Sequence, residues 1–558
     1  MAQSNLVRIA LLVLVSMSSA SAWAQAAPAA TASASAPPAS PAHFELADVH
    51  SSPFANQPNT DVEYLGSGRF LARQATMADL VAFAWKVDNN QVLQGPSWLD
   101  FDRFDLNARA PRGTSEDSFR MMLRALLADR FALKVHPDSK VMPAFVLTEA
   151  KGGLRMKPAK AEDGDSAENH GCKSPPQPEG QPNQPTIRYN VLSCHGIPIS
   201  ELGDDLRNWA GSYITSPVVN QTDLKGSYDF EIKWTGRGQL ARAGADGISI
   251  FDAVEKQLGL KLEPRPAPLP VVFVDSVNEK PTPNAAGVDK TLTPPPAEFE
   301  VAILRPSAPD TPKGIQGEIN GSQVNLRGAT VQWFLTWAWD ISDDMIADAP
   351  KWLNQDRWDL VAKLAHDPAS ADAKGNPQLT QDGLQAMIKK LVAERFGLKA
   401  HLEDRPAEAY TLVATNPHLK KADPDNRTGC HEGPGPDGKD PRVSNPIVNR
   451  LLTCQNMTMA QFGDILRVQV NGYVHSPVLD QTGLPGAYDF TVSFSGIGQL
   501  QNNPAPKEGD NSGSAADPNG AVSFFEAIQK QMGVKLIKQK RPVQMLVIDA
   551  VNQTPTDN

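Results

Sequence analysis

The stretch Ser216-Pro217-Val218-Val219-Asn220-Gln221-Thr222-Asp223-Leu224-Lys225-Gly226-Ser227-Tyr228-Asp229-Phe230 returns later in the chain as Ser476-Pro477-Val478-Leu479-Asp480-Gln481-Thr482-Gly483-Leu484-Pro485-Gly486-Ala487-Tyr488-Asp489-Phe490. Chance does not produce such a pair, and recurrence at a steady spacing marks an internal duplication. Working upstream, Arg130-Phe131-Ala132-Leu133-Lys134-Val135-His136 matches Arg395-Phe396-Gly397-Leu398-Lys399-Ala400-His401, and Pro96-Ser97-Trp98-Leu99 with Asp102-Arg103-Phe104-Asp105 matches Pro350-Lys351-Trp352-Leu353 with Asp356-Arg357-Trp358-Asp359. Phe44-Glu45-Leu46-Ala47 is echoed by Phe299-Glu300-Val301-Ala302. Downstream, Gly238-Gln239-Leu240 recurs as Gly498-Gln499-Leu500 and Val277-Asn278 as Val551-Asn552. The offset drifts mainly at 370–380 and 501–520, where the composition is loop-like, as insertions on surface connections would make it. The boundaries drawn from these matches are a first unit at 42–284, a Pro-rich linker at 285–296 and a second unit at 297–558.

Each unit reads as α+β. Met77, Leu80, Val81, Ala84 and Trp85 repeat at helical spacing behind Thr76, with Asp79 placed for a capping box. The echo is Val331, Phe334, Leu335, Ala338 and Trp339. A second helix is expected near 115–130, and its counterpart carries Leu384, Met387, Ile388, Leu391 and Val392. Residues 102–108 read as a strand, and 133–135 with 144–147 as a closing pair of strands. Further on, a helix is expected near 201–210, a strand at 228–234, and a last helix opened by Ser249 with Asp252, or by Ser523 with Glu526. Gly259 and Gly533 suit the left-handed position that ends that helix. Because 131–135 occupies the same place in the first half, each unit is expected to hold two small related layers of mixed or antiparallel sheet packed by helices.

The chain has 558 residues, room for two to four domains, and its 41% apolar content rules out wholesale disorder. With 53 Lys+Arg against 63 Asp+Glu, the net charge of −10 argues against nucleic acid or an anionic membrane as main partner. Arg8, the short apolar run 9–15 and Ala22-Trp23-Ala24 form a secretory signal over 1–24, followed by an Ala/Pro/Ser-rich leader at 25–41. The expected location is therefore periplasmic or secreted, with no membrane span after cleavage.

An oxidising compartment gives the cysteines a role. Cys172 with Cys194, and Cys430 with Cys454, are expected as one disulfide per unit. The competing reading is a metal site from His170, Cys172, Cys194 and His195; the second unit offers Cys430, His431 and Cys454 but Gln455 in the fourth place, and no C-x-x-C spacing occurs. Nucleophile-elbow, zinc-helix and phosphate-loop signatures are absent. His136 and His401 occupy matching strand ends, where a polar, backbone-bonded role outweighs general-base work. Asp102, Arg103, Asp105 and Arg130 could form a structural ion cluster or an anion site. Trp85, Trp98, Trp339 and Trp352 fit core packing better than sugar stacking. Asp163, Asp165 and Glu168, or Asp423 and Asp425, resemble pieces of a calcium loop without its Gly spacing. No catalytic, cofactor-binding or metal residue is assigned and no cofactor is expected.

The motif set formed by Phe70, Arg73 and Thr76 before the first helix, P-x-W-L-x-x-D-R-F/W-D, R-F-x-L-K-x-H and D-Q-T-G-L-x-G-x-Y-D-F resembles the soil-associated exported family called domain of unknown function 3738, typical of acidobacteria and other soil bacteria. The likeness spans nearly the whole mature chain, twice, with Asp223-Leu224-Lys225 departing from the usual Gly-Leu. It carries no ligand or activity across; family relatives fused to membrane sensor peptidases imply extracytoplasmic sensing. The order of elements is also similar to the short N-terminal domains of secretins and TonB-dependent receptors. The expectation is a non-enzymatic binding or interaction protein for a protein, peptide or envelope polymer, the alternative being a secreted hydrolase of extracellular polymer with acidic catalytic residues in a cleft between the units.

Overall fold

The structure, a computed structural model, describes residues 43–53, 60–159, 171–175, 189–292, 298–312, 314–320, 322–364, 381–424, 426–435, 438–442, 445–501 and 517–556. The expected signal and leader, the linker prolines, Asp163, Asp165, Glu168, His170 and Asp425 lie outside them.

The first repeat runs β1 (Leu46–Ser51), β2 (Asp61–Tyr64), β3 (Arg69–Thr76), α1 (Met77–Trp85), β4 (Val92–Leu93), β5 (Arg103–Arg109), α2 (Glu116–Phe131), β6 (Lys134–Met142), β7 (Phe145–Glu149), β8 (Lys157–Pro158), β9 (Gly171–Lys173), β10 (Tyr189–Pro198), α3 (Leu202–Trp209), β11 (Val218–Asn220), β12 (Ser227–Thr235), α4 (Arg237–Ala243), α5 (Ile250–Ala253), β13 (Leu260–Pro264) and β14 (Ala267–Ser276). A short helix, α6 (Val288–Thr291), follows. The second repeat runs β15 (Phe299–Pro306), β16 (Gln316–Asn320), β17 (Gln323–Thr330), α7 (Val331–Trp339), β18 (Ile346–Ala347), β19 (Arg357–Leu364), α8 (Gln381–Arg395), β20 (Lys399–Ala414), β21 (Lys420–Lys421), β22 (Gly429–Glu432), β23 (Arg450–Met457), α9 (Met459–Gln469), β24 (Val478–Asp480), β25 (Tyr488–Phe494), α10 (Phe524–Met532) and β26 (Val534–Ala550).

Strand order repeats element for element. The first half of each repeat is a four-stranded antiparallel sheet, β1-β5-β3-β2 or β15-β19-β17-β16, and the second half is another, β8-β12-β10-β9 or β21-β25-β23-β22. A two-stranded ribbon joins the halves. In the second repeat it is one ladder from Lys399↔Ala550 to Ala414↔Val534, and in the first it is broken at 143–144 and 265–266. The segments 133–135 and 144–147 are therefore not a hairpin. No turn separates them; the residues between run on as extended chain and pair with β14.

The ribbon exchanges core between the halves. Val272 and Val274, from β14 near the end of the repeat, enter the core under α1 and α2, whereas Phe145 and Leu147, from β7, enter the core under α3 and α5. Neither half can bury its apolar face without strand from the other, so a whole repeat is the smallest closed unit.

One small device recurs in all four halves. In the central strand pair a β-bulge interrupts the register, between Ala72 and Ala75, Cys194 and Ile197, Leu326 and Ala329, and Cys454 and Met457. The bulged backbone turns left-handed at Gln74, Gly196, Gly328 and Asn456, and in each case an Asp on the neighbouring strand accepts that residue's N–H: Asp105 at 2.8 Å, Asp229 at 2.8 Å, Asp359 at 2.9 Å and Asp489 at 2.9 Å. A bulge leaves a donor outside the ladder, and the carboxylate satisfies it. The shared device bears out two related layers in each repeat.

Thr76 and Asp79 form the full capping box. Ser249 and Ser523 cap their helices by accepting from Asp252 and Glu526 N–H, but the acids turn elsewhere, Asp252 to Ser249 Oγ at 2.6 Å and Glu526 to Lys530 at 2.6 Å. Gly259 and Gly533 take the left-handed C-cap.

Candidate functional site: one groove filled, its counterpart open

The turn that follows α1 and the short helical turn Ser97–Asp100 rim a groove on the first repeat, and the second repeat fills it. Arg427, just ahead of β22, grips Asp100 with Nε at 2.9 Å from Oδ2 and with Nη2 on Oδ1. Its Nη2 also donates to Asn89 Oδ1 at 2.7 Å, and its Nη1 to the carbonyl oxygens of Asn89 and, at 2.7 Å, Val92. All five guanidinium N–H groups are thus used, which makes the planar fork, rather than charge alone, the recognised feature. Burial pushes the Asp100 carboxyl above its ordinary range, and Arg427 opposes that push. Phe101, beside it, packs on the apolar core of the second repeat's second half.

Further along the same segment, Arg442 is wholly buried. It donates to Asp440 from Nε and Nη2, both at 2.8 Å, to Glu432 at 3.1 Å, and across to Thr215 Oγ1 of the first repeat at 3.1 Å. Burial raises the Asp440 carboxyl, but the hydrogen bonds and charge of Arg442 outweigh it and the net shift is downward. Arg237 of the first repeat is pushed down to about 10 by burial and then by the charge of Arg442. Close approach needs small residues: a Cβ on Gly429 would lie 3.1 Å from Asp100 Oδ2, and one on Gly433 3.0 Å from Thr215 Oγ1. The recurring Gly-Gln-Leu motif meets itself nearby, where Gln499 donates to the Gly238 carbonyl and Arg242 to the Gly498 carbonyl.

The second repeat has the same groove without a guest. Asp343 and Asn354, in the positions of Asn89 and Asp100, line a cavity of about 390 Å³ together with Trp333, Thr330 and Arg357. On the other side of the same turn, a cavity of about 200 Å³ is lined by Asp344, Glu408, Tyr410, Tyr473, His475 and Lys538. His475 and Ile497 stand there where the first repeat has Thr215 and Arg237. Burial pushes Tyr410 up to about 12 and Tyr473 higher, so both phenols stay neutral, and Tyr473 donates to the Ser495 carbonyl.

Other residues singled out by sequence are dispersed. Asp105 is the bulge clip, and Arg103 donates to the Gln74 carbonyl. Arg130 ties the segment after β14 to β1 through Thr282, Asn284 and Ala47. Asp102 meets Glu279, which with burial raises its carboxyl, while its counterpart Asp356 accepts from Gln553 at 2.8 Å. His136 and His401 bond Asp275 and Asp549, each at 2.9 Å, on an exposed ribbon end. Trp85, Trp98, Trp339 and Trp352 are half-buried against the two first-half cores. The Asn220-Gln221-Thr222 and Asp480-Gln481-Thr482 motifs are side-chain-capped turns, with the Thr N–H bonded at 2.9 and 2.8 Å. Cys172–Cys194 and Cys430–Cys454 are disulfides that bridge directly paired strands, with Cα atoms 4.0 and 4.1 Å apart. No group of three metal-ligating side chains occurs among the described residues. No helix there is long and apolar enough to cross a membrane. Sequence reading missed Arg427, Asp100 and Arg442. Their signal lay in the positions where the repeats differ.

No curated protein and no solved structure matches the chain. A family match does exist, over residues 78–277 and again over 332–551, to the family described as protein of unknown function (DUF3738). The matched segments fall one in each repeat and together take in most of the chain, which therefore belongs to that family in two tandem copies.

Proposed function

We propose that this is an exported binding protein without catalytic chemistry, whose repeats recognise protein loops. The observation that carries the reading is the first repeat's groove. A segment of about 16 residues, Arg427 to Arg442, is held there by an arginine with every donor satisfied, a buried arginine network and an aromatic contact, which is how a recognition surface engages a loop. Export is supported by one disulfide in each repeat, since such bonds persist in oxidising compartments. The carboxylates with raised affinity for protons do not gather in one cleft: Asp100 is taken up by Arg427, Asp102 sits with Glu279, and neither they nor Asp205, Asp340 and Asp464 line the two cavities above or the cavity of about 460 Å³ lined by Glu298, Glu300 and Glu394.

The test offers the immobilised chain envelope extracts and, in parallel, a panel of extracellular polymers at pH 4–8. Stoichiometric retention of a protein without turnover is expected. Polymer hydrolysis that disappears in Asp102→Asn or Glu408→Gln would overturn the reading.

A further inference from the structure

The two repeats present the same groove in different states, and the difference specifies a guest. In the first repeat the guanidinium of Arg427 lies between an amide, Asn89, and a carboxylate, Asp100. In the second repeat the two groups are exchanged: Asp343 stands at the amide position and Asn354 at the carboxylate position, lining one cavity. An acceptor pair of the same composition is therefore kept, facing open space.

Charge points the same way. Around the filled groove, Asp79 and Asp100 face Arg103 and Arg427, two against two. Around the open groove, Asp343 is the lining carboxylate, and Arg357, the lining cation, has four of its five N–H groups taken by the backbone carbonyls of Thr311, Pro312, Gly314 and Gly328. The carboxylate of the open groove is therefore not held by its own arginine, as Asp100 is held by Arg427 in the filled one. The rim is also wetter: Phe101, which rests on the guest repeat, is replaced by the exposed Gln355. That suits a partner that comes and goes rather than one joined by the chain.

We propose that the open groove of the second repeat is a receptor site for an arginine-bearing loop of a partner protein, with the guanidinium seated between Asp343 and Asn354. The inference rests on the binding role proposed above and names the chemistry of its ligand. The chain's own Arg427 is not the guest, because it is spent in the first repeat. The matching position ahead of the first repeat's Cys172 is Asn169, which carries no charge.

The probe is a labelled peptide copying 424–442 with Cys430→Ser, titrated by fluorescence anisotropy against the full chain at low salt. Saturable one-site binding is expected, at least tenfold weaker for the Arg427→Ala peptide and at least tenfold weaker for a chain carrying Asp343→Asn. Asn354→Asp, which adds a second carboxylate, should tighten it. Asp343 is exposed, and unchanged denaturation of its variant controls for folding. Failure to bind, or binding indifferent to Asp343→Asn, overturns the proposal. So does peptide binding that appears only when 174–187 is replaced by a short Gly-Ser linker, which leaves Cys172 in place and would make the first repeat's own loop the occupant, or an Asp343-dependent dimer in sedimentation, which would make it a second copy. A chain that ignores the peptide yet retains an envelope protein loses this inference alone; one that hydrolyses polymer loses the binding role as well.

Discussion

The first repeat's groove and the second repeat's groove are built on the same turn after the same helix, yet one is packed with protein and the other is not. The backbone does not separate them. What does is a handful of substitutions at matched positions: Asp100-Phe101 against Asn354-Gln355, Asn89 against Asp343, Arg237 against Ile497. Duplication supplied two equal surfaces, and side-chain changes committed one of them to holding the repeats together. The sharpest way to break that comparison is to make the same cut in both. Asp100→Ala strips a nearly buried arginine of its counter-ion and should cost about 3–5 kcal/mol in urea unfolding. Asn354→Ala, at the exposed equivalent position, should stay within about 0.5 kcal/mol. Equal losses at the two sites would mean that the filled groove is not what ties the repeats together.

The disulfides sharpen the same contrast. They span 22 and 24 residues, so restriction of the unfolded chain is nearly identical, about 3 kcal/mol each. Replacing both cysteines by serine in either repeat should therefore cost about 3 kcal/mol. Any excess at Cys430–Cys454 reports the groove, because Gly429 and Gly433, next to that bridge, are the residues that let the segment approach Asp100 and Thr215. Denaturation midpoints of the two double variants, compared directly, measure it; a larger loss for Cys172–Cys194 would contradict the assignment of the second loop as the guest.

A smaller effect is expected where α2 and α8 end. Ala132 and Gly397 both adopt the left-handed cap, at φ 50° and 59°. An L-residue with a Cβ is strained there by about 1–2 kcal/mol. Ala132→Gly should therefore stabilise the first repeat by up to about 1 kcal/mol, some of the gain being lost to the freer unfolded chain. Gly397→Ala should destabilise the second by about 1–2 kcal/mol, since its Cβ would also press on Asn552 Nδ2 at 2.7 Å.

How much of this could be read from sequence follows from the range of the forces involved. The apolar stripes of α1 and α7, the cap formed by Thr76 and Asp79, and the glycine stops at 259 and 533 are short-range, and a window of a few residues contains them. The doubling inside each repeat was visible only through the parallel between 131–135 and the Gly-Leu-Lys-Leu run at 259–262, because most of the remaining likeness between halves lies in backbone shape. The bulge clips show why: the bulged residue is an amide at Gln74 and Asn456 but a glycine at Gly196 and Gly328, and only the carboxylate partner is constant. The exchanged ribbon was misread since strand alternation tells which face is buried, not which strand lies beside it. Asp100 and Arg427 stand 327 residues apart, and comparing the repeats for sameness passed over positions whose importance lay in their difference.

The smallest expected effect uses a third pair of unlike equivalents. Asp102 faces the carboxyl of Glu279, whereas Asp356 accepts from the amide of Gln553. Burial, then the charge of Glu279 and the hydrogen bond with it, raises the Asp102 carboxyl above its ordinary value. The folded chain thus holds that proton more tightly than the unfolded chain does. Stability from this group is full below the unfolded carboxylate pKa and is lost as pH rises through the folded one, so at neutral pH the pair is a cost. Glu279→Gln copies the second repeat's arrangement: it removes the repelling charge and supplies a donor. Because the pair is largely exposed to solvent, the gain at pH 7 should be under about 1 kcal/mol. It should shrink toward zero as the pH is lowered through the carboxylate range, which urea midpoints of the parent and variant from pH 4 to 7.5 would display. A gain that stayed constant with pH would trace to packing rather than to the shared proton, and the reverse change, Gln553→Glu, should import the same pH dependence into the second repeat.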